Sequence, residues 1–128
     1  MRPITLIRLT SLLLVLISAS STTYGQFQGP RAPDGVITVK EIIDNASRLD
    51  RTDALVKVQG YIVKQLNTDT YLFKDETGTV KVEIDKYRLP HSPFDEKTEI
   101  IIIGEVDHDL FEPVEIEAKE VTLTPPNN

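Results

Sequence analysis

From Tyr71 to Ile84 the chain alternates apolar and polar residues with a period of two. Tyr71 and Phe73 stand in one arm, Val80, Val82 and Ile84 in the other, and Asp75-Glu76-Thr77-Gly78 lies between. Each arm therefore has one apolar face, and the pattern predicts a β-hairpin in which Asp75 caps the turn and Gly78 takes the left-handed position. The opposite phase, Leu72, Lys74, Lys81, Glu83 and Asp85, then faces outward. Three further segments alternate in the same way: Leu55 to Gln65, Thr98 to Val106 and Val114 to Leu123. Gly60 interrupts the first, as a strand needs in order to coil sharply and serve both halves of a small barrel. The run Ile100-Ile101-Ile102-Ile103 is apolar on both phases, which predicts a strand covered on both sides. In the last segment Val114, Ile116 and Ala118 share one phase and Val121 and Leu123 the other, so a bulge is expected near Lys119-Glu120. The phases place Val58, Ile62, Phe73, Val82, Ile84, Ile100, Ile102, Val106 and Ile116 in the core.

One segment has the helical period instead. Thr38-x-x-Glu41 is a capping box, and Val39, Ile42, Ile43 and Ala46 follow at i, i+3, i+4, i+7 spacing. This predicts an amphipathic helix of about three turns, ending near Ser47 to Asp50, that covers an apolar surface. Lys86 to Glu96 contains Pro90 and Pro93 and cannot continue a strand, so it forms a loop or a short helical turn. At the amino terminus Arg2 and Arg8 precede the apolar run Leu12 to Ile17 and the small residues Ser18 to Thr23. That order matches a secretory signal over residues 1–25, and the run falls short of the ~20 apolar residues of a bilayer span. A Gly- and Pro-rich arm, residues 26–36, follows; the folded domain is expected at 37–124 and a tail at 125–128.

A long coiled first strand, a hairpin, an irregular crossing and two more strands describe an all-β fold with a small helical addition: a five-stranded OB-fold barrel with an amino-terminal helix. The residues strengthen that reading. Phe27-Gln28-Gly29-Pro30, the hairpin Tyr71-x-Phe73-x-Asp75-x-x-Gly78-x-Val80-x-Val82-x-Ile84-Asp85, then Gly104-Glu105-Val106-Asp107 and Val114-Glu115-Ile116 resemble the bacterial OB-fold family of small periplasmic stress-tolerance proteins, the YgiW/YdeI type. The resemblance covers residues 27–123. It implies a periplasmic protein of envelope, oxidative or cationic-peptide stress tolerance, without known catalysis. The chain departs from the family at Tyr87 and Phe111, which stand near places where that family often has Trp.

Charge narrows the partners. The chain carries 14 basic and 20 acidic residues, for a net charge of −6; loss of residues 1–25 would remove two arginines and no acid, leaving −8. Nucleic-acid binders take most of their affinity from Lys and Arg at phosphates, so a polyanion partner is disfavoured. There is no cysteine, which excludes a disulfide framework and a lipid anchor on an amino-terminal cysteine. His91, beside two prolines, has no Ser or Cys nucleophile assignable to it, so a surface role is expected and catalysis is not. No cofactor is expected.

OB folds commonly bind across strands two and three, between the loops joining strands one to two and four to five. Here that region offers Asp69, Lys74, Lys81, Glu83, Glu105, Asp107, Asp109, Phe111 and Glu112 as candidate ligand-binding residues. The acidic series can attract a cationic ligand or hold a hard cation, or it can be a solvated edge that keeps strands four and five from pairing with other chains. It lacks the ligand spacing and glycine of an EF-hand loop. Tyr61, Tyr71, Phe73 and Tyr87 can serve as stacking platforms, with core packing the simpler role. The expectation is a monomeric, non-catalytic binding protein for a cationic small molecule or peptide, a glycan or an envelope protein. The alternatives are an acidic adaptor docked on a membrane-associated protein and a divalent-cation-binding domain.

Overall fold

The structure is a computed structural model that describes Pro33 and residues 35–126. The expected signal segment, most of the expected arm and the end of the tail lie outside the described residues. Elements follow in the order α1 (Val39–Asp44), α2 (Ala46–Arg51), β1 (Leu55–Gln65), β2 (Thr70–Lys74), β3 (Thr79–Glu83), a 3-10 turn (Lys86–Arg88), β4 (Ile100–Asp107) and β5 (Glu115–Leu123). The strands close a barrel in the order β1-β2-β3-β5-β4. All pairs are antiparallel except β3 with β5, where Lys81, Val82 and Glu83 run parallel to Glu115, Ile116 and Glu117.

Closure depends on β1 serving two neighbours. Leu55 to Gly60 pairs with β4, and Tyr61 to Gln65 pairs with β2. The exchange happens at Gly60, where a Cβ would strike the Lys74 carbonyl oxygen and the Phe73 ring, so only glycine admits the crossing. The expected bulge is present: Ile103 faces Glu120 and Gly104 faces Ala118, leaving Lys119 as the extra residue. Arg88, on the 3-10 turn, donates from Nη1 to the Lys119 carbonyl and holds the bulge from outside.

The nine residues assigned to the core by phase are all buried, from 0% exposed at Phe73 to 7% at Ile62. Tyr71, Val80, Ala118 and Val121 join them, as do Val39, Ile42, Ala46 and Leu49 from the helices. Several expectations need correction. The helical segment is two short helices broken at Asn45, whose N–H reaches the Glu41 and Ile42 carbonyls while its side chain also binds the Glu41 carbonyl. Its buried stripe is narrower than expected, and Ile43 faces out at 46% exposure. Ile101 and Ile103 are half-buried, so β4 has one core face and not two. Gly78 does not adopt a positive φ; among the described residues only Asp53 does, at 48°. With a four-residue connection, Asp75 organises the turn through its side chain and the glycine is not strained.

That turn also seats the helix. Asp75 Oδ1 accepts from Thr77 N at 2.7 Å, Thr77 Oγ1 at 2.6 Å and Gly78 N at 3.1 Å. Its other oxygen accepts from Val39 N at 2.8 Å, and Thr77 Oγ1 accepts from Lys40 N at 3.0 Å. The N–H groups of Val39 and Lys40, which have no partner within the helix, are thus satisfied by the hairpin. The capping box at Thr38 and Glu41 forms as the sequence predicts.

Candidate functional site

The register of three strands assembles the acidic face. Asp107 on β4 stands opposite Glu115 on β5, and Glu115 lies beside Lys81 on β3. Their chain neighbours Val106, Ile116, Val80 and Val82 point into the core, so alternation turns the three polar side chains outward together. One step along, Glu105, Glu117 and Glu83 form a second row. Lys119, projecting from the bulge, spans this row at 2.7 Å from Glu117 and 3.9 Å from Glu105.

The first row opens into a cleft of about 290 Å³ lined by Lys81, Asp107, Asp109, Glu112, Pro113 and Glu115. Four carboxylates there face one ammonium. Glu115 is half-buried, and its carboxyl is pushed above the ordinary glutamate value. Burial is the largest cause; repulsion from Glu83 and a hydrogen bond with Glu83 add to it, Lys81 opposes it, and Asp107 raises it further. A cation seated in this cleft would relieve that repulsion.

Of the candidate residues named from sequence, Lys81, Asp107, Asp109 and Glu112 come together in the cleft, and Glu83 stands beside it against Glu115. Glu105 is half-buried and engaged with Lys119. Asp69 lies at the neighbouring end of the barrel, where its carbonyl accepts from Ile84 N, and its side chain accepts from Thr70 Oγ1. Lys74 belongs to a separate groove with Tyr61, Val63, Asp75, Glu76 and Glu96. Phe111 is 94% exposed at the tip of the β4–β5 loop, next to Leu110 at 84%. Glu115 stands between Val114 and the core residue Ile116, and nothing in that local sequence marks it for the cross-strand crowding it meets in the barrel. Tyr71 and Phe73 are core residues, whereas Tyr61 and Tyr87 are exposed, Tyr87 with Lys86 Nζ 4.9 Å from its ring centre. Among the described residues no group of three or more acidic or histidine side chains is placed to hold a metal ion.

The sequence matches the bacterial OB fold (BOF) protein family over residues 17–123. The chain belongs to that family. Calcium-regulated OB-fold protein CarO of Pseudomonas aeruginosa is 38% identical over 96 residues, covering 74% of this chain and 78% of CarO. Protein YgiW of Escherichia coli K12 is 36% identical over 109 residues, covering 85% of this chain and 80% of its own length. The solved structure of YgiW from E. coli superposes with a TM-score of 0.63 over 79% of this chain and 100% of that one. The Stn1–Ten1 complex of Schizosaccharomyces pombe gives a TM-score of 0.56 at 16% identity, a likeness of fold alone. Neither bacterial relative's name states an enzymatic activity. No described helix is long and apolar enough to cross a membrane.

Proposed function

We propose that this BOF protein is a non-catalytic binding module of the bacterial periplasm that takes a cationic ligand on the outer face of β3, β5 and β4. The observation that carries the reading is the half-buried Glu115, crowded by Glu83 and Asp107 with only Lys81 to offset them. Like charges gathered in a cleft raise the local concentration of cations and cost stability, a pattern typical of binding sites. Periplasmic placement is supported by the signal-like order of Arg2, Arg8 and the apolar run before residue 25.

Titration calorimetry with spermidine, on wild type and on the Asp107→Asn, Asp109→Asn double variant, tests the reading at two salt concentrations. Wild type should bind at low salt and lose affinity as the Debye length shrinks to ~8 Å. The double variant should bind more weakly and melt within a few degrees of wild type, because Asp107 and Asp109 are exposed and substitutions at exposed positions change stability by about half a kcal/mol or less. Equal affinity in both proteins would place the site elsewhere on the barrel.

A further inference from the structure

Beside the acidic cleft runs an apolar groove of about 370 Å³, lined by Ile43 of α1, Leu72, Thr79 and Val80 of the hairpin, and Pro113 and Val114 before β5. Lys81 and Pro113 line both hollows, so the two are one continuous surface, apolar at one end and acidic at the other. Ile43 is left 46% exposed there, although it sits beside the buried stripe of the helix, and Leu110 and Phe111 stand almost fully exposed on the loop that carries Asp109 and Glu112. Neither the fold nor the electrostatic reading of the cleft uses these apolar side chains.

We infer that the surface binds an extended peptide segment of a partner polypeptide, with a lysine or arginine in the cleft and apolar side chains in the groove. The inference rests on the cationic-ligand reading and specifies what lies next to the cation. Two features of the surface favour a peptide over a small polyamine. The first is the charge complementarity of the cleft alongside an apolar floor that a polyamine cannot use. The second is spacing: Lys81 and Thr79 are two residues apart on β3, about 7 Å, which is also the repeat of same-side side chains along an extended peptide. A basic residue at one position and a leucine two residues on therefore fit the two hollows together. A membrane surface is disfavoured because anionic headgroups would meet four carboxylates.

The test uses fluorescence anisotropy with three labelled hexapeptides on the folded protein: alternating Lys/Leu, alternating Lys/Ser and alternating Glu/Leu. The Lys/Leu peptide should bind about tenfold more tightly than Lys/Ser, from apolar area removed from water. Glu/Leu should not bind. Ile43→Ser, at an exposed position of the groove, should reduce the Lys/Leu advantage by about threefold or more and leave Lys/Ser binding unchanged, with melting curves showing the variant folded. Equal affinity for Lys/Leu and Lys/Ser would overturn the inference while leaving the cationic reading in place. Failure of both lysine peptides to bind at low salt where spermidine does bind would overturn the inference and leave the cationic reading in place; failure of both peptides and of spermidine would overturn both. A concentration-dependent dimer in sedimentation that Ile43→Ser abolishes would give the groove to a second copy of the chain and also overturn the inference.

Discussion

Ile102 stands at the middle of β4, opposite Val58 of β1 on one side and Val121 of β5 on the other, and all three are buried. A side chain so enclosed cannot be shortened without leaving a cavity, because the paired strands on either side fix its neighbours in place. Ile102→Ala should therefore cost about 2 to 5 kcal/mol in urea unfolding. A loss below half a kcal/mol would mean that β4 presents its other phase to the core. Individual residues were legible wherever a strict alternation decided the face: a period of two leaves a strand residue only two choices. It failed at Ile101 and Ile103, where an apolar residue on the outer face is only half covered, since isoleucine is compatible with both a core and a half-buried sheet surface. Ile43 failed for a related reason. Helical spacing tells which residues share a side but not how wide the covered stripe is, and here it ends at Ile42.

Elements hold together through contacts that no local pattern reveals. The capping box at Thr38 was readable because its partners are three residues apart; the bond from Val39 N to Asp75 spans 36 residues and depends on where the barrel places the hairpin turn. Asp75 thus does two tasks, ordering its own turn and capping the start of α1. Burial, the largest single influence on its carboxyl, pushes it up, yet the hydrogen bonds from Thr77, Val39 and Gly78 together hold it below the ordinary aspartate value. A folded value below the unfolded one means that the stabilisation is present in full above the unfolded value. It is lost as pH falls through the depressed folded value. Asp75→Ala should lower stability by about 1 to 3 kcal/mol at neutral pH, because it strands several backbone donors. In chemical unfolding at about pH 3 the gap between variant and wild type should narrow. A gap of constant size across that range would show that packing, and not the charged hydrogen bonds, sets the role of Asp75.

At the scale of the whole molecule, the barrel brings together charges that the sequence keeps apart. The parallel pairing of β3 with β5 closes the ring and sets Lys81 and Glu83 beside Glu115 and Glu117; strand spacing alone predicted a five-stranded barrel but not which residues would crowd. The candidate site was legible as an acidic loop because Asp107, Asp109 and Glu112 are near in sequence. It was illegible in Glu83 and Glu115, which are 32 positions apart and meet only through closure. That meeting has a thermodynamic consequence. The Glu115 carboxyl has a folded value above the unfolded one, so the native state keeps a proton that the unfolded chain has already released. Stability must then fall as pH rises from the ordinary glutamate value through the raised one, and the penalty is complete above it. Glu115→Gln removes the penalty without changing the shape of the side chain. The variant should melt at a higher temperature than wild type at neutral pH, and the difference should shrink near pH 4, below the ordinary glutamate value. Added salt should shrink the neutral-pH difference, because the cleft is open to solvent and its repulsions are screened. Scanning calorimetry at the two pH values decides the point: an equal gain at both would attribute the effect to the amide itself, and a loss at neutral pH would show that Lys81 already neutralises Glu115. A gain confined to neutral pH would mean that the barrel holds Glu115 ionised against its own stability, a cost that a bound cation would offset.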